Sequence, residues 1–255
     1  MSGLFNPTVA WITLRATLSR KRALLFALPA VILILFTLAL KASHAPMPAW
    51  PSHVLGTFGF SVLLPLTALI IGTSVLGAEV DDGSVIHLLA TPVRRSSVVL
   101  TKFVVATGLT VLFAAVPELI AALIAGGGSA PGPQGLVAVN SGQLAVGLFV
   151  GALACSVIYN AVFVMVSVAT TRAIAVGLLY VLVWEVLLAN FVGGVRLLSV
   201  SHYGLGIANG FASDTALEAG LTAATSVVMS AVVTAAALAL AVRLLSSFTL
   251  KGEPA

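Results

Sequence analysis

An all-α integral membrane protein with six transmembrane helices is the fold class this sequence predicts, and three observations predict it. Hydrophobic residues fill 60% of the 255 positions and charged residues 8%, with a mean hydropathy of +1.16. Soluble domains carry about 25% charged residues. There is too little polar surface here to cover a water-exposed globule, so lipid must be the solvent for most of the chain. Six apolar runs follow one another, at 23–40, 54–78, 98–125, 142–170, 173–195 and 217–242, each close to or above the roughly 20 residues that cross a bilayer. Finally, the basic residues gather on one side of those runs. With a cytosolic N-terminus, that side holds Arg15, Arg20, Lys21, Arg22, Arg94, Arg95, Lys102, Arg172, Arg243 and Lys251, and the other holds Lys41 and Arg196. Ten against two places both termini in the cytosol by the positive-inside rule. The net charge of +4 reads the same way, as basic cytosolic loops, and no nucleic-acid partner is expected.

The elements follow in order. Residues 7–22 are expected to form an amphipathic elbow helix: Pro7 suits a first helical turn, and Trp11, Leu14 and Leu18 share one face flanked by Arg15 and Arg22. Such a helix lies along the inner interface with its Trp at headgroup level. The first apolar run follows Arg20-Lys21-Arg22 as a signal peptide would, but its 18 residues exceed a signal core and no clean cleavage site follows, so a retained span is expected. Clusters of Gly and Pro at 44–51 and 126–133 end the first and third runs. The fourth and fifth runs are separated only by Thr170, Thr171 and Arg172. A single helix through both would far exceed the bilayer, so the chain must turn there. Residues 196–213 are too apolar for a free loop and too short and Gly-rich for a span. A pair of short external half-helices, buried in protein because irregular backbone cannot face lipid, is expected. The links 42–52 and 126–141 are too small to form an external domain.

Several chemistries are set aside. The chain lacks a G-x4-G-K-[ST] phosphate loop and a G-x-S-x-G elbow. Its histidines at 44, 53, 87 and 202 show no metal-ligand spacing, so no metal site is expected. The one cysteine, Cys155, excludes an internal disulfide and reads as a packing residue. No catalytic residue and no bound cofactor are expected, and the chain does not read as an enzyme.

Two acids fall inside apolar runs, where exposure to lipid is expensive and function is the first suspicion. Glu185 lies about 12 residues, or roughly 18 Å, into the fifth run, and Glu118 lies nearer the outer end of the third, after a Pro117 expected to kink it. With Trp184 and Asn160 they are candidates for a substrate pathway that attracts cations. Equally, they are protonated, or bonded to neighbouring helices such as the one carrying Tyr159 and Asn160. Both readings stand at this point. Gly142, Gly147 and Gly151 permit close helix contact, but an alanine-rich chain yields such spacing by chance, and no dimer interface is read from it.

The polar stretch 79–102 reads EVDDGSVIHLLATPVRRSSVVLTK, between two apolar runs. Gly83 and Ser84 can break one helix and cap another, Val85, Ile86, Leu88 and Leu89 supply an apolar face, and Pro92 ends it. A short amphipathic helix with a hinge at each end suits a groove on a soluble partner. Glu79, Arg95 and Lys102 are expected to pair across its base; the alternative is an ordinary charged turn that anchors topology. Glu79, Gly83, Ser84, Leu88, Leu89, Pro92, Arg95 and Lys102 fit the pattern E-x3-G-[ST]-x3-L-L-x2-P-x2-R-x6-K, which resembles the first cytoplasmic loop of ABC-2-type transporter permeases. The resemblance covers the whole chain in topology and these 24 residues in sequence. It implies a coupling helix in the loop 79–97, docking through these residues with Val85 and Arg94 on a separate ABC-type ATP-binding subunit. Arg94 departs from the small or polar residue often found there. It further implies the permease subunit of an ATP-driven exporter in the bacterial cytoplasmic membrane, moving a hydrophobic or amphiphilic cargo such as a drug-like compound or lipid. Two permease subunits, identical or related, would work with two ATPase subunits, which alone would bind ATP and Mg2+. A membrane-embedded enzyme or assembly factor, and an ATP-independent channel or carrier, are the alternatives.

Overall fold

The computed structural model of the protein describes residues 6–43, 49–81, 95–127, 129–132, 135–189, 193–212, 217 and 219–247. Apart from one small hairpin, the elements among the described residues are helical, as a backbone immersed in hydrocarbon must be to satisfy its own N–H and C=O groups. Five helical stretches among the described residues are long and apolar enough to cross a membrane: Arg22–Ala42, Trp50–Leu76, Ser96–Ala125, Ser141–Ala169 and Ala223–Ser246. A shorter apolar helix, Ala173–Leu188, lies between the last two.

Helix α1 (Pro7–Thr17) starts where Asn6 accepts hydrogen bonds from the backbone N–H groups of Thr8 and Val9, at 3.0 and 3.4 Å. The elbow expected over 7–22 is shorter than that. It stops at Thr17, and an extended Ser19 leads into α2 (Arg20–Ala42), so Arg20, Lys21 and Arg22 form the first turn of the next helix. The buried residues of α1 are Thr13 and Thr17, while Trp11 is 64% exposed. Leu14 and Leu18 of the expected apolar face pack against the Phe26, Ile71 and Leu109 cluster, while Trp11 and Ile12 face outward. Helix α2 is peripheral too: Leu24, Leu28 and Leu35 are exposed, and among its described side chains only Phe26, Pro29, Leu33 and Thr37 are buried. At its far end Lys41 Nζ donates to the carbonyl of Ile124, a cation at a helix C-terminus.

Helix α3 covers 50–81, as an α-helical turn Trp50–His53, a π-helical stretch Val54–Leu63 and an α-helix Leu64–Asp81. Helix α4 covers 95–125 in the same manner, Arg95–Thr110, a π stretch Val111–Ala115, then Val116–Ala125. The second π stretch has a local cause. Pro117 has no N–H, and its ring clashes with the carbonyl four residues back, so the preceding turn widens and Val116 N–H bonds to Val111 five residues back. Gly126, at φ 81°, ends α4 in a conformation that only glycine adopts without strain. Strands β1 (Ser129–Gly132) and β2 (Gly135–Ala138) then pair antiparallel, Ser129 opposite Ala138.

Helix α5 (Ser141–Ala169), capped by Asn140, is the centre of the bundle, packed against α3 and α4 and against two later helices. Its Tyr159 and Phe163 rings stack at 5.8 Å. The chain turns at 170–172 and α6 (Ala173–Leu179 with a π stretch Tyr180–Leu188) follows. The fifth apolar run was expected to continue to 195; instead the chain from Gly193 to Leu198 is a 3-10 turn, consistent with the low helical propensity of Gly193-Gly194. Helix α7 (Val200–Ala212) and helix α8 (Ala223–Ser247) are the last of the described elements. The last helix begins six residues later than expected at 217, because the Thr222 hydroxyl accepts from Thr225 N–H at 3.3 Å and fixes the start. It also runs past 242, to Ser247.

Residues 82–94 are outside the described residues, so the coupling-helix expectations for Gly83, Ser84, Val85, Leu88, Leu89, Pro92 and Arg94 are as well. The backbones of Glu79 and Arg95 belong to the end of α3 and the start of α4.

Candidate functional site

Glu185 sits in the π-helical part of α6 and is completely buried. Five groups donate to its carboxylate. Val200 N–H and the Tyr180 hydroxyl reach Oε1 at 2.8 and 2.9 Å. The hydroxyls of Ser199 and Ser201 reach Oε2 at 2.6 and 2.7 Å, with Ser201 N–H at 3.3 Å. The first turn of a helix leaves its N–H groups without partners, and a negative charge there is favoured by the helix dipole. Glu185 therefore serves as a cap supplied from another helix, clamping the start of α7. Adjacent bonds extend the clamp. Trp184 Nε1 donates to Leu198 O at 3.1 Å, and His202 Nε2 lies 3.3 Å from Ala189 O. The C-terminal half of α6 is thus stitched to 198–202 at several successive points.

The body of α7 is held by close contact with α5. A Cβ added at Gly147 would lie 2.5 Å from Ala208 O, and one added at Gly151 would lie 2.4 Å from Gly204 O. Cys155 continues the row, with Sγ 2.2 Å from where a Cβ on Gly204 would be, and it donates to Val200 O at 3.4 Å. Gly147, Gly151 and Cys155 face Ala208, Gly204 and Val200 in turn, so the two helices run antiparallel along a seam of small residues that lets backbones meet. Ser199, Ser201, His202 and Tyr203 are all buried, so α7 is packed inside the bundle.

The other candidates lie apart. Asn160, fully buried on α5, donates from Nδ2 to Thr110 Oγ1 at 2.8 Å and to Ser156 O at 2.7 Å, tying α5 to α4 where the π stretch begins. Glu118, 2% exposed, has no hydrogen-bond partner at Oε1. Its carboxyl group packs against Gly59, where a Cβ would come within 2.5 Å of it. The crevice beside it is lined by Pro29, Leu33, Leu63, Thr67 and Phe113 and holds neither Glu185 nor Asn160. At about 10 Å3 it has room for roughly one water. Trp184 and Glu185 share a task at α7, while Glu118 and Asn160 each stand elsewhere. Lys102, expected to pair with Glu79 and Arg95, is buried two turns from the start of α4 with its Nζ donating to Val75 O at 2.7 Å; the side chains of Glu79 and Arg95 lie outside the described residues.

Sequence reasoning did not find Ser199, Ser201 and Tyr180 as the partners of Glu185. A signal was present, since serine directly before an apolar helical run is a common cap, but nothing in the sequence pairs it with an acid 14 residues earlier.

Comparison with curated proteins finds no match. A family model described as ABC-2 family transporter protein matches residues 17–184, from the end of α1 to the turn of α6 that carries Trp184. This stretch includes the 79–102 segment and most of the multi-pass helical bundle, and with well over half of its length matched the chain belongs to the ABC-2 family of membrane transport proteins.

Proposed function

We propose that the chain is the permease subunit of an ATP-driven ABC-2 exporter in the bacterial cytoplasmic membrane. The observation that carries this reading is the family match across 17–184, with the 79–102 segment inside it. Six spans arise when α6 is added to the five longer helices, and both termini then lie in the cytosol, as the distribution of basic residues supports. Helix α1 lies along the inner surface as the elbow; its exposed Trp11 and Ile12 suit that place. The loop 79–97 holds a coupling helix that docks on a separate ATP-binding subunit, which binds ATP and Mg2+. Two such subunits work with two permeases, and their closure pushes the loop and tilts the spans. The cargo is hydrophobic or amphiphilic, either a drug-like compound or a lipid.

The two acids divide under this reading. The five donors on Glu185 support a structural task, that of holding α7 as an outer seal. Glu118, with an oxygen lacking a partner beside a crevice, is the acid that better supports a place on the cargo path.

The test is reconstitution. The chain is co-expressed with ABC-type ATP-binding proteins from the same genome, placed in inside-out vesicles and offered a panel of cationic, neutral and anionic amphiphiles. ATP-dependent accumulation of one class is expected. Hydrolysis indifferent to the permease, with no compound moved, would reject the proposal.

A further inference from the structure

Between α2, α3 and the turn that leads into α6 lies a groove of about 660 Å3. Leu25 and Phe26 of α2, Ile70 of α3, and Ile174 and Leu178 of α6 form its apolar walls. Arg22 and Arg172 also line it, and among the described residues no acidic side chain does. Two of the three wall hydroxyls are already committed, Thr73 Oγ1 donating to Leu69 O at 2.6 Å and Ser74 Oγ to Ile71 O at 2.8 Å, and the third, Thr171, stands beside Arg172. Among the described residues, the two guanidinium groups are the charged donors the groove offers. Both stand at one end of it. Arg22 belongs to the first turn of α2 and Arg172 directly precedes α6, while Phe26 and Leu178 lie about 6 and 9 Å further along their helices at 1.5 Å per residue. The groove is therefore cationic at its mouth and apolar below.

We propose that it binds an anionic phospholipid, with the phosphate held by Arg22 and Arg172 and one acyl chain laid along Leu25, Phe26, Ile70, Ile174 and Leu178. The chemistry of each part matches. Arginine binds phosphate oxygens in a fork and stays charged, and juxtamembrane basic residues are drawn to anionic headgroups. The volume lies within the range of sites for single small molecules, enough for one chain while the second stays in the bilayer. A second copy of this chain fits less well, because a symmetric partner would bring the same two arginines against themselves. The leaflet, though not the chemistry, rests on the orientation proposed above.

Native mass spectrometry of the detergent-solubilised chain, loaded from mixed phosphatidylglycerol and phosphatidylcholine vesicles, tests this. Wild type is expected to retain phosphatidylglycerol about tenfold over phosphatidylcholine, in line with the pull of basic residues at a membrane surface. Arg22→Gln with Arg172→Gln should bring the two lipids close to parity. Ala175→Trp, which fills the groove and keeps both charges, should lose the bound lipid. Arg15→Gln with Arg243→Gln removes as much charge from exposed positions outside the groove and should keep the preference. Parity in wild type would overturn the site. So would an unchanged preference in Arg22→Gln with Arg172→Gln, an equal loss in the control pair, or a lipid-free dimer that Ala175→Trp splits.

Discussion

The carbonyl oxygen of Gly204 lies 2.4 Å from the point where a side chain on Gly151 would begin. The obstacle is backbone in a buried helix, which cannot swing aside as a side chain could. Gly151→Val is therefore expected to force α7 off α5 and cost about 1–3 kcal/mol, the usual range for overpacking, read as a lower unfolding temperature in detergent. Gly108 is the matched control. Nothing lies within 4 Å of a Cβ there, so Gly108→Ala should be neutral or stabilising by up to about 1 kcal/mol.

Glu185 and Glu118 should respond in opposite ways. Glu185→Leu removes the acceptor for five donors and leaves two backbone N–H groups of α7 without it. Buried groups so abandoned cost about 1–3 kcal/mol each, so a loss of roughly 3 kcal/mol or more is expected. Glu185→Gln should fall between, because serine hydroxyls can rotate to accept from the new amide while Ser201 N–H cannot. Glu118→Leu, by contrast, deletes a buried oxygen that has no partner and should be neutral or stabilising. Thermal unfolding of the three variants side by side decides it; equal losses at both acids would contradict the assignment.

Leu88→Asp should leave the permease inserted and folded but abolish co-purification with its ATP-binding subunit, since a charge replaces part of the proposed docking face. An undiminished complex would place the docking surface elsewhere.

Orientation is open to direct chemistry. Single cysteines at Ser2, Ser96 and Ala255 should be shielded from an impermeant thiol reagent in intact cells, while those at Ser129 and Ser213 should react. Labelling at position 96 from outside would invert the topology and remove the coupling role with it.

The sequence makes the multi-pass helical character and the turn at 170–172 easy to see, because hydrocarbon demands long apolar runs and Gly, Pro and Arg interrupt them. What it hides is which face of each run is buried. In lipid both faces are apolar, so the period that marks a core-facing stripe in water fades. Thr13, Thr17 and Thr37 are buried while Leu24 and Leu28 face outward, the reverse of an aqueous reading. The glycines at 147 and 151 were visible, but their partner, the row at Gly204 and Ala208, lies some 50 residues on and is revealed only by packing. The π stretches were invisible apart from the one that Pro117 explains. The same holds for Glu185: an acid in an apolar run was a plain signal, and its destination was a helix start that only the folded chain brings near.

Cys155 gives the native protein a clock of its own. It is the chain's single thiol, wholly buried where the start of α7 covers it at Gly204. A small reagent can meet it only in moments when α7 has come away from α5. The rate of modification of the unaltered chain therefore counts those openings, and any condition that loosens the seam between α5 and α7 would register as faster labelling without a single engineered residue.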